Sequence, residues 1–87
     1  MEDSIAAQIE ACFDCVDAAL KAAGVEEGLG KVVKFVTYML DCRNEPLMME
    51  IWKKRFPALQ PCWTCIGTSN LCLQGMVLEM DAEAIIE

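Results

Sequence analysis

Six cysteines are the residues of this 87-residue chain that most obviously could do chemistry. Four of them form two C-x-x-C pairs, Cys12 and Cys15 in "CFDC" and Cys62 and Cys65 in "PCWTCIG". Two such pairs can hold zinc when each sits on a tight turn and four sulfurs converge at about 2.3 Å from the metal. One pair at a helix N-terminus makes a redox dithiol, because the helix dipole favours the thiolate. In an oxidising compartment the same cysteines would form a disulfide framework.

Each of these chemistries makes a structural demand that the flanking residues do not meet. Cys12 and Cys15 fall inside a helical period, with no Gly nearby to make a turn. Cys62 and Cys65 stand three apart in a strand-like run, which sends their side chains to opposite faces. Neither pair opens a helix. The chain begins "MEDS", acidic where a secretory signal needs a basic region, so a disulfide scaffold is not expected. There is no His, which also removes the usual Cys–His and Ser–His nucleophile pairs. The cysteines read as packed thiols, and no metal or cofactor is implied.

Composition narrows the partners. A chain of this length is one domain, residues 1–87, with a modest core. Its 55% hydrophobic content suggests that some apolar surface faces another subunit. Seven basic against 14 acidic residues give a net charge of −7, which disfavours phosphate backbones. Only Lys53, Lys54 and Arg55 cluster. The stretch from Pro57 to Leu78 is uncharged, yet it holds Pro, Gln, Asn, Ser, Thr and two Gly, unlike a membrane span. A soluble, cytoplasmic protein with neither nucleic-acid nor membrane partner is expected.

The elements that must position these residues follow from periodicity. Residues 4–23 form an amphipathic helix, capped by Asp3 or Ser4 and stopped at Gly24. Its apolar stripe is Ile5, Ile9, Cys12, Val16, Ala19, Leu20 and Ala23, and its wet side is Glu10, Asp14, Asp17 and Lys21. After the turn "EEGLG", "KVVKFVTYML" is a strand apolar on both faces, with Val33, Phe35 and Met39 on one and Val32, Val36, Tyr38 and Leu40 on the other. A second helix runs from about Asn44, with Pro46 in its first turn, to just before Pro57. Leu47, Met48, Ile51, Trp52 and Phe56 form its inner face.

A strand from about Cys62 to Thr68, a loop from Ser69 to Gly75 and a last strand from Met76 complete the chain. That strand alternates, with Met76, Leu78, Met80, Ala82 and Ala84 on one face and Glu79, Asp81 and Glu83 on the other. The order α-β-α-β-β predicts an α+β sandwich with helices on one sheet face.

Three segments in this order resemble the RidA (YjgF-type, L-PSP endoribonuclease-like) family of reactive-intermediate deaminases. "IAAQIEACFDCVDAALKAAGV" resembles its helix, from an A-A-Q start to an A-A-G end. "GKVVKFVTYMLDCRNEPLMMEIWKKRFP" resembles its strand, Asp and helix, closing in an aromatic before Pro. "PCWTCIGTSNLCLQGMVLEMDAEAI" resembles its final hairpin. The resemblance covers Ser4 to Ile86 and implies a trimeric, chorismate-mutase-like fold with ligand clefts between subunits. It also implies hydrolysis of enamines and imines, such as 2-aminoacrylate, to a keto compound and ammonia. Some members have been called translation-inhibiting ribonucleases, which the acidic charge here does not support.

The same resemblance assigns candidate site residues. Glu79 matches the family's acid on the last strand, and Cys65 matches the cysteine two residues after its substrate-binding Arg. These are the candidate catalytic groups, Glu79 to position water and shuttle protons and Cys65 as a weak donor. The position of the Arg itself is Trp63, which offers stacking and an indole N–H but no charge for a carboxylate. The position of a cleft Asn on the helix is Met49. Trp63 and Met49 are therefore the candidate ligand-binding pair. The strand pair forming the family's N-terminal third has no counterpart here, which leaves an exposed sheet edge for a partner to cover. Two readings stay open: a deaminase with an atypical substrate, or a non-catalytic trimeric module binding a small apolar ligand. Solvated-face and packing roles for Glu79, Trp63 and Cys65 compete with both.

Overall fold

The computed structural model describes residues 4–72 and 74–85. Its elements are helix α1 (Ile5–Ala22), strand β1 (Val32–Met39), helix α2 (Glu45–Arg55), strand β2 (Cys62–Gly67) and strand β3 (Leu78–Ala84). Short 3-10 turns lead into β1 (Gly28–Lys31) and into α2 (Cys42–Asn44). This is the expected α-β-α-β-β order in an α+β fold, with both helices against one face of the sheet. No helix among the described residues is long and apolar enough to cross a membrane.

Helix α1 begins where Ser4 accepts a hydrogen bond from the Ala7 amide, satisfying one of the first-turn N–H groups. Asp3, the other capping candidate, lies outside the described residues. The helix ends before Gly24, whose φ of 100° only glycine adopts without strain. Its buried face is Gln8, Ile9 and Phe13, flanked by Cys12, Val16 and Leu20. The expected stripe is thus rotated. Ile5, Ala19 and Ala23 are exposed, and Phe13, absent from that stripe, is wholly buried. Helix α2 buries Met48, Ile51 and Trp52, with Leu47 and Phe56 partly covered, as its spacing predicts. Arg55 ties the two helices together through Glu10 at 2.6 Å and Asp14 at 2.9 Å.

The strand order is β2-β1-β3, with β1 parallel to β2 and antiparallel to β3. Two corrections follow. The last two strands do not form a hairpin, since β1 lies between them, and the connection from β2 to β3 crosses it. The faces of β1 also switch near its start, because Val33 is bulged out of the register between Val32–Ala84 and Lys34–Glu83. Val32 therefore turns inward and is buried, and Val33 is 41% exposed. Beyond the bulge, Phe35, Thr37 and Met39 face the helices. The opposite face carries Val36, Tyr38, Leu40 and Ile66, of which Leu40 and Ile66 are exposed. The loop after β2 reaches this face beside Tyr38 and Glu79 and leaves Leu40 and Ile66 open.

The core is built on aromatic rings. Phe13, Phe35, Trp52 and Trp63 meet through one stacked, one tilted and four edge-on contacts with centroids 4.3 to 6.2 Å apart. Each such pair adds about 0.5–1.5 kcal/mol beyond the burial of its area. This cluster sits where α1, α2, β1 and β2 converge.

Candidate functional site

Trp63 and Met49 come together. They line one cavity of about 350 Å³ between the end of α2 and the start of β2, with Trp52, Lys53, Leu59 and Pro61 among its other walls. β2 places Trp63 on its inner face, and the register sets it opposite Phe35, so the two rings stack at 4.3 Å. The turn after α2 completes the wall, because Trp52 donates its indole N–H to the Leu59 carbonyl at 3.0 Å.

Trp63 does not present its own N–H to this cavity. That group donates to the Thr37 hydroxyl at 3.2 Å, beneath the sheet surface. The expectation of an indole donor for a ligand is corrected here; what Trp63 offers is an apolar ring. The polar groups on the rim are Lys53 and Gln60. Lys53 was not singled out as a site residue, and its basic neighbours explain how it emerges. Arg55 is taken by Glu10 and Asp14, and Lys54 pairs with Glu50. Lys53 has no ion-pair partner among the described residues, so its ammonium is the available charge at this mouth. The sequence signal was the Lys53–Lys54–Arg55 run in an otherwise acidic chain.

Cys65 lies two residues further along the inner face of β2 and is not among the cavity's lining residues. It sits against Thr37 and Cys42, and its thiol is pushed up from the ordinary range, first by burial and further by Cys42 and Glu45, against a lowering hydrogen bond with Thr37. At neutral pH it is a thiol, able to donate a proton but not poised as a thiolate nucleophile. Cys62 faces the other way and is exposed, so strand alternation splits this C-x-x-C. Cys12 and Cys15 sit within α1, and burial, then Cys15 and Glu79, raise the Cys12 thiol. No group of three or more His, Cys, Asp or Glu side chains among the described residues could hold a metal.

Glu79 is placed apart from this cluster. It pairs with Tyr38 on the face of the sheet turned away from the helices, and its carboxylate accepts the Cys72 amide at 3.3 Å. There it borders a hollow of about 430 Å³ with Tyr38, Thr68 and Asn70. β2 and β3 flank β1 on opposite sides, so two inter-strand steps, about 10 Å in all, separate Glu79 from Cys65, and they face opposite ways. Within one chain the two candidate catalytic groups do not meet. A larger hollow of about 480 Å³ runs between α1 and the edge of β3, past Cys12, Val16, Leu78 and Met80, and Glu79 borders it as well.

Solved structures share this fold. Rv2704 from Mycobacterium tuberculosis, a member of the YjgF/YER057c/UK114 family, superposes with a TM-score of 0.88 at 26% identity, over 99% of this chain and 71% of its own. RidA from an Antarctic Psychrobacter gives 0.87 at 24% identity, over 99% of this chain and 68% of its own. TdcF from E. coli, solved with bound serine, gives 0.87 at 22% identity, over 100% of this chain and 68% of its own. This chain thus spans about two thirds of the length of these proteins. No curated protein matches it in sequence. The family model described as endoribonuclease L-PSP matches residues 1–86. With that match over nearly every residue, and YjgF and RidA proteins among its structural neighbours, the chain belongs to the endoribonuclease L-PSP family, the YjgF/RidA group.

Proposed function

We propose that this protein hydrolyses a small enamine or imine to a keto compound and ammonia, in the cavity that Trp63 and Met49 line. The observation that carries the reading is the pairing of an apolar aromatic wall with one unpaired cation, Lys53, at its mouth. Lys53 takes the carboxylate of an amino-acid-derived imine as a point charge, in place of the bidentate grip of the family's Arg. The substrate's apolar part lies against the Trp63 ring. That TdcF, a structural neighbour, was solved with serine bound fits a ligand of amino-acid size.

The chemistry needs water added to the imine carbon and a proton delivered to nitrogen, which then leaves as ammonia. An enamine is first protonated at carbon to give the imine. Glu79 handles these protons. Since it cannot reach the cavity of its own chain, the cleft lies between copies, one presenting Lys53 and Trp63 and the next presenting Glu79. A homotrimer of this kind also covers the apolar outer face of the sheet, Val36, Tyr38, Leu40 and Ile66. Light scattering that gives a stable monomer counts against it.

The test is 2-aminoacrylate generated in the cuvette by a dehydratase, with keto-acid release followed through a coupled reduction. Hydrolysis faster than the spontaneous rate is expected, and Lys53→Met raises KM about tenfold or more with little change in kcat. No acceleration over buffer defeats the deaminase reading. The second reading, a non-catalytic binding module, has its own support in Glu79, whose carboxylate is already engaged by the Cys72 amide. Under it, a small aromatic acid quenches tryptophan fluorescence saturably while no turnover occurs.

A further inference from the structure

The Cys42 and Cys65 thiols are far apart in sequence and neighbours in the fold. The Thr68 amide donates to the Met39 carbonyl at 2.9 Å, clamping the end of β2 beside the end of β1. The chain leaving β1 then turns at Asp41, whose carboxylate accepts the Arg43 amide at 3.0 Å, and this turn folds Cys42 back over β2. Gly67 makes room for it. Gly67 shares a face with Cys65, two residues away, and its missing Cβ would stand 3.2 Å from the Cys42 sulfur. Cys42 thus fills the space over Gly67, on the face that carries Cys65, near enough to help raise the Cys65 thiol. Both are free, Cys42 exposed and Cys65 half-buried.

We propose that Cys42 and Cys65 are a reversible redox pair, oxidised by peroxide to a disulfide within one chain. Peroxide reaches the exposed thiol first. The Cys42 sulfur attacks one peroxide oxygen and the O–O bond breaks, leaving Cys42 as a sulfenic acid and releasing water. The Cys65 sulfur then attacks the Cys42 sulfur and gives up its proton, and the sulfenic hydroxyl leaves as a second water. Two thiols are oxidised by two electrons as one peroxide is reduced to two waters. The product staples the turn before α2 to β2. Cys62 points to the other face of the sheet, and Cys12 and Cys15 lie on α1, so neither C-x-x-C closes on itself. This inference does not depend on the deaminase reading.

The experiment treats the folded protein with equimolar hydrogen peroxide, blocks remaining thiols with an alkylating agent and digests it with trypsin without reduction. The expected result is a monomer lighter by about 2 Da before alkylation, for the two thiol hydrogens lost. Peptide 35–43 is then joined to peptide 56–87, and dithiothreitol separates them. The double variant Cys62→Ala, Cys72→Ala keeps the link, which assigns it to Cys65. Cys42→Ser, an exposed substitution checked for folding by circular dichroism, removes the link and leaves Cys65 alkylatable after the same peroxide treatment. The proposal is overturned if peroxide leaves all six thiols alkylatable, joins Cys65 to Cys62 or Cys72, or links cysteines only between chains. It is equally overturned if Cys65→Ala still joins peptide 35–43 to peptide 56–87 in undiminished yield.

Discussion

The indole N–H of Trp63 points at the hydroxyl of Thr37, 3.2 Å away on the neighbouring strand, and Thr37 has no exposed surface. One hydroxyl thereby accounts for the only polar atom of the ring that stands at the site's central position. Thr37→Val keeps the side-chain shape and removes the acceptor. The stranded N–H then costs about 1–3 kcal/mol of unfolding free energy. Urea denaturation measures it, and an unchanged midpoint would show that water replaces the hydroxyl without loss.

Returning the family's Arg to this position should weaken the protein rather than repair it. Trp63 stacks on Phe35 at 4.3 Å and meets Phe13 and Trp52 edge-on at 6.2 and 5.7 Å. Trp63→Arg swaps an apolar ring for a guanidinium among those three. Stacking on Phe35 offsets part of the loss, and about 2–4 kcal/mol remains. Equal or greater stability in equilibrium unfolding would remove Trp63 from the core and reopen the position as a carboxylate site.

How much of this was legible beforehand depended on whether a local pattern or a distant neighbour decided it. The inner face of α2 follows from the spacing of Leu47, Met48, Ile51 and Trp52, and the inward alternation of β3 from Leu78, Met80 and Ala82. The rotation of α1 toward Phe13 does not, because Phe35, Trp52 and Trp63 select that face from other elements. The bulge at Val33 is equally silent in a run of β-formers. No strand names its partner either, which is why β2 and β3 look like a hairpin in sequence and are separated by β1 in space. The site divides the same way. Trp63 and Cys65 share a face by strand period alone, whereas Lys53 becomes notable only once Arg55 and Lys54 have found their carboxylates. The separation of Glu79 from Cys65 depends wholly on strand order.

Asp17 makes part of the stability depend on acid. Its carboxylate accepts the Leu29 amide at 2.9 Å and pairs with Lys21 at 2.9 Å, and these hold its pKa below the usual carboxylate value. A carboxyl lowered by folding contributes its full stabilisation above the unfolded pKa, about 3.9, and loses it as pH falls through the lower folded value. Asp17→Asn should therefore be less stable than the parent at pH 7, with the gap closing below about pH 4. Asp41, held down by Arg43, titrates in the same window and is common to both proteins, so it cancels in the difference. A gap that stays constant from pH 7 to the acid limit would show that the Leu29 cap does not need the charge.

Gln8 fixes the entry to β3 with both ends of its amide. Its nitrogen donates to the Gly75 carbonyl and its oxygen accepts the Val77 amide, each at 3.0 Å, from a position only 9% exposed. The β3 ladder to β1 begins just beyond, so these bonds hold the loop's end rather than the sheet. Gln8→Leu conserves bulk and leaves a backbone donor and a backbone acceptor without partners, at about 1–3 kcal/mol for each. Because these two bonds hold Gly75 and Val77, ahead of the β3 ladder, the loss should be local. Amide hydrogen exchange at Val77 should accelerate about tenfold or more, while amides in the middle of β1, such as Val36, change only by the global loss of stability. Uniform acceleration across the sheet would mean instead that the end of the loop and the sheet open as one unit.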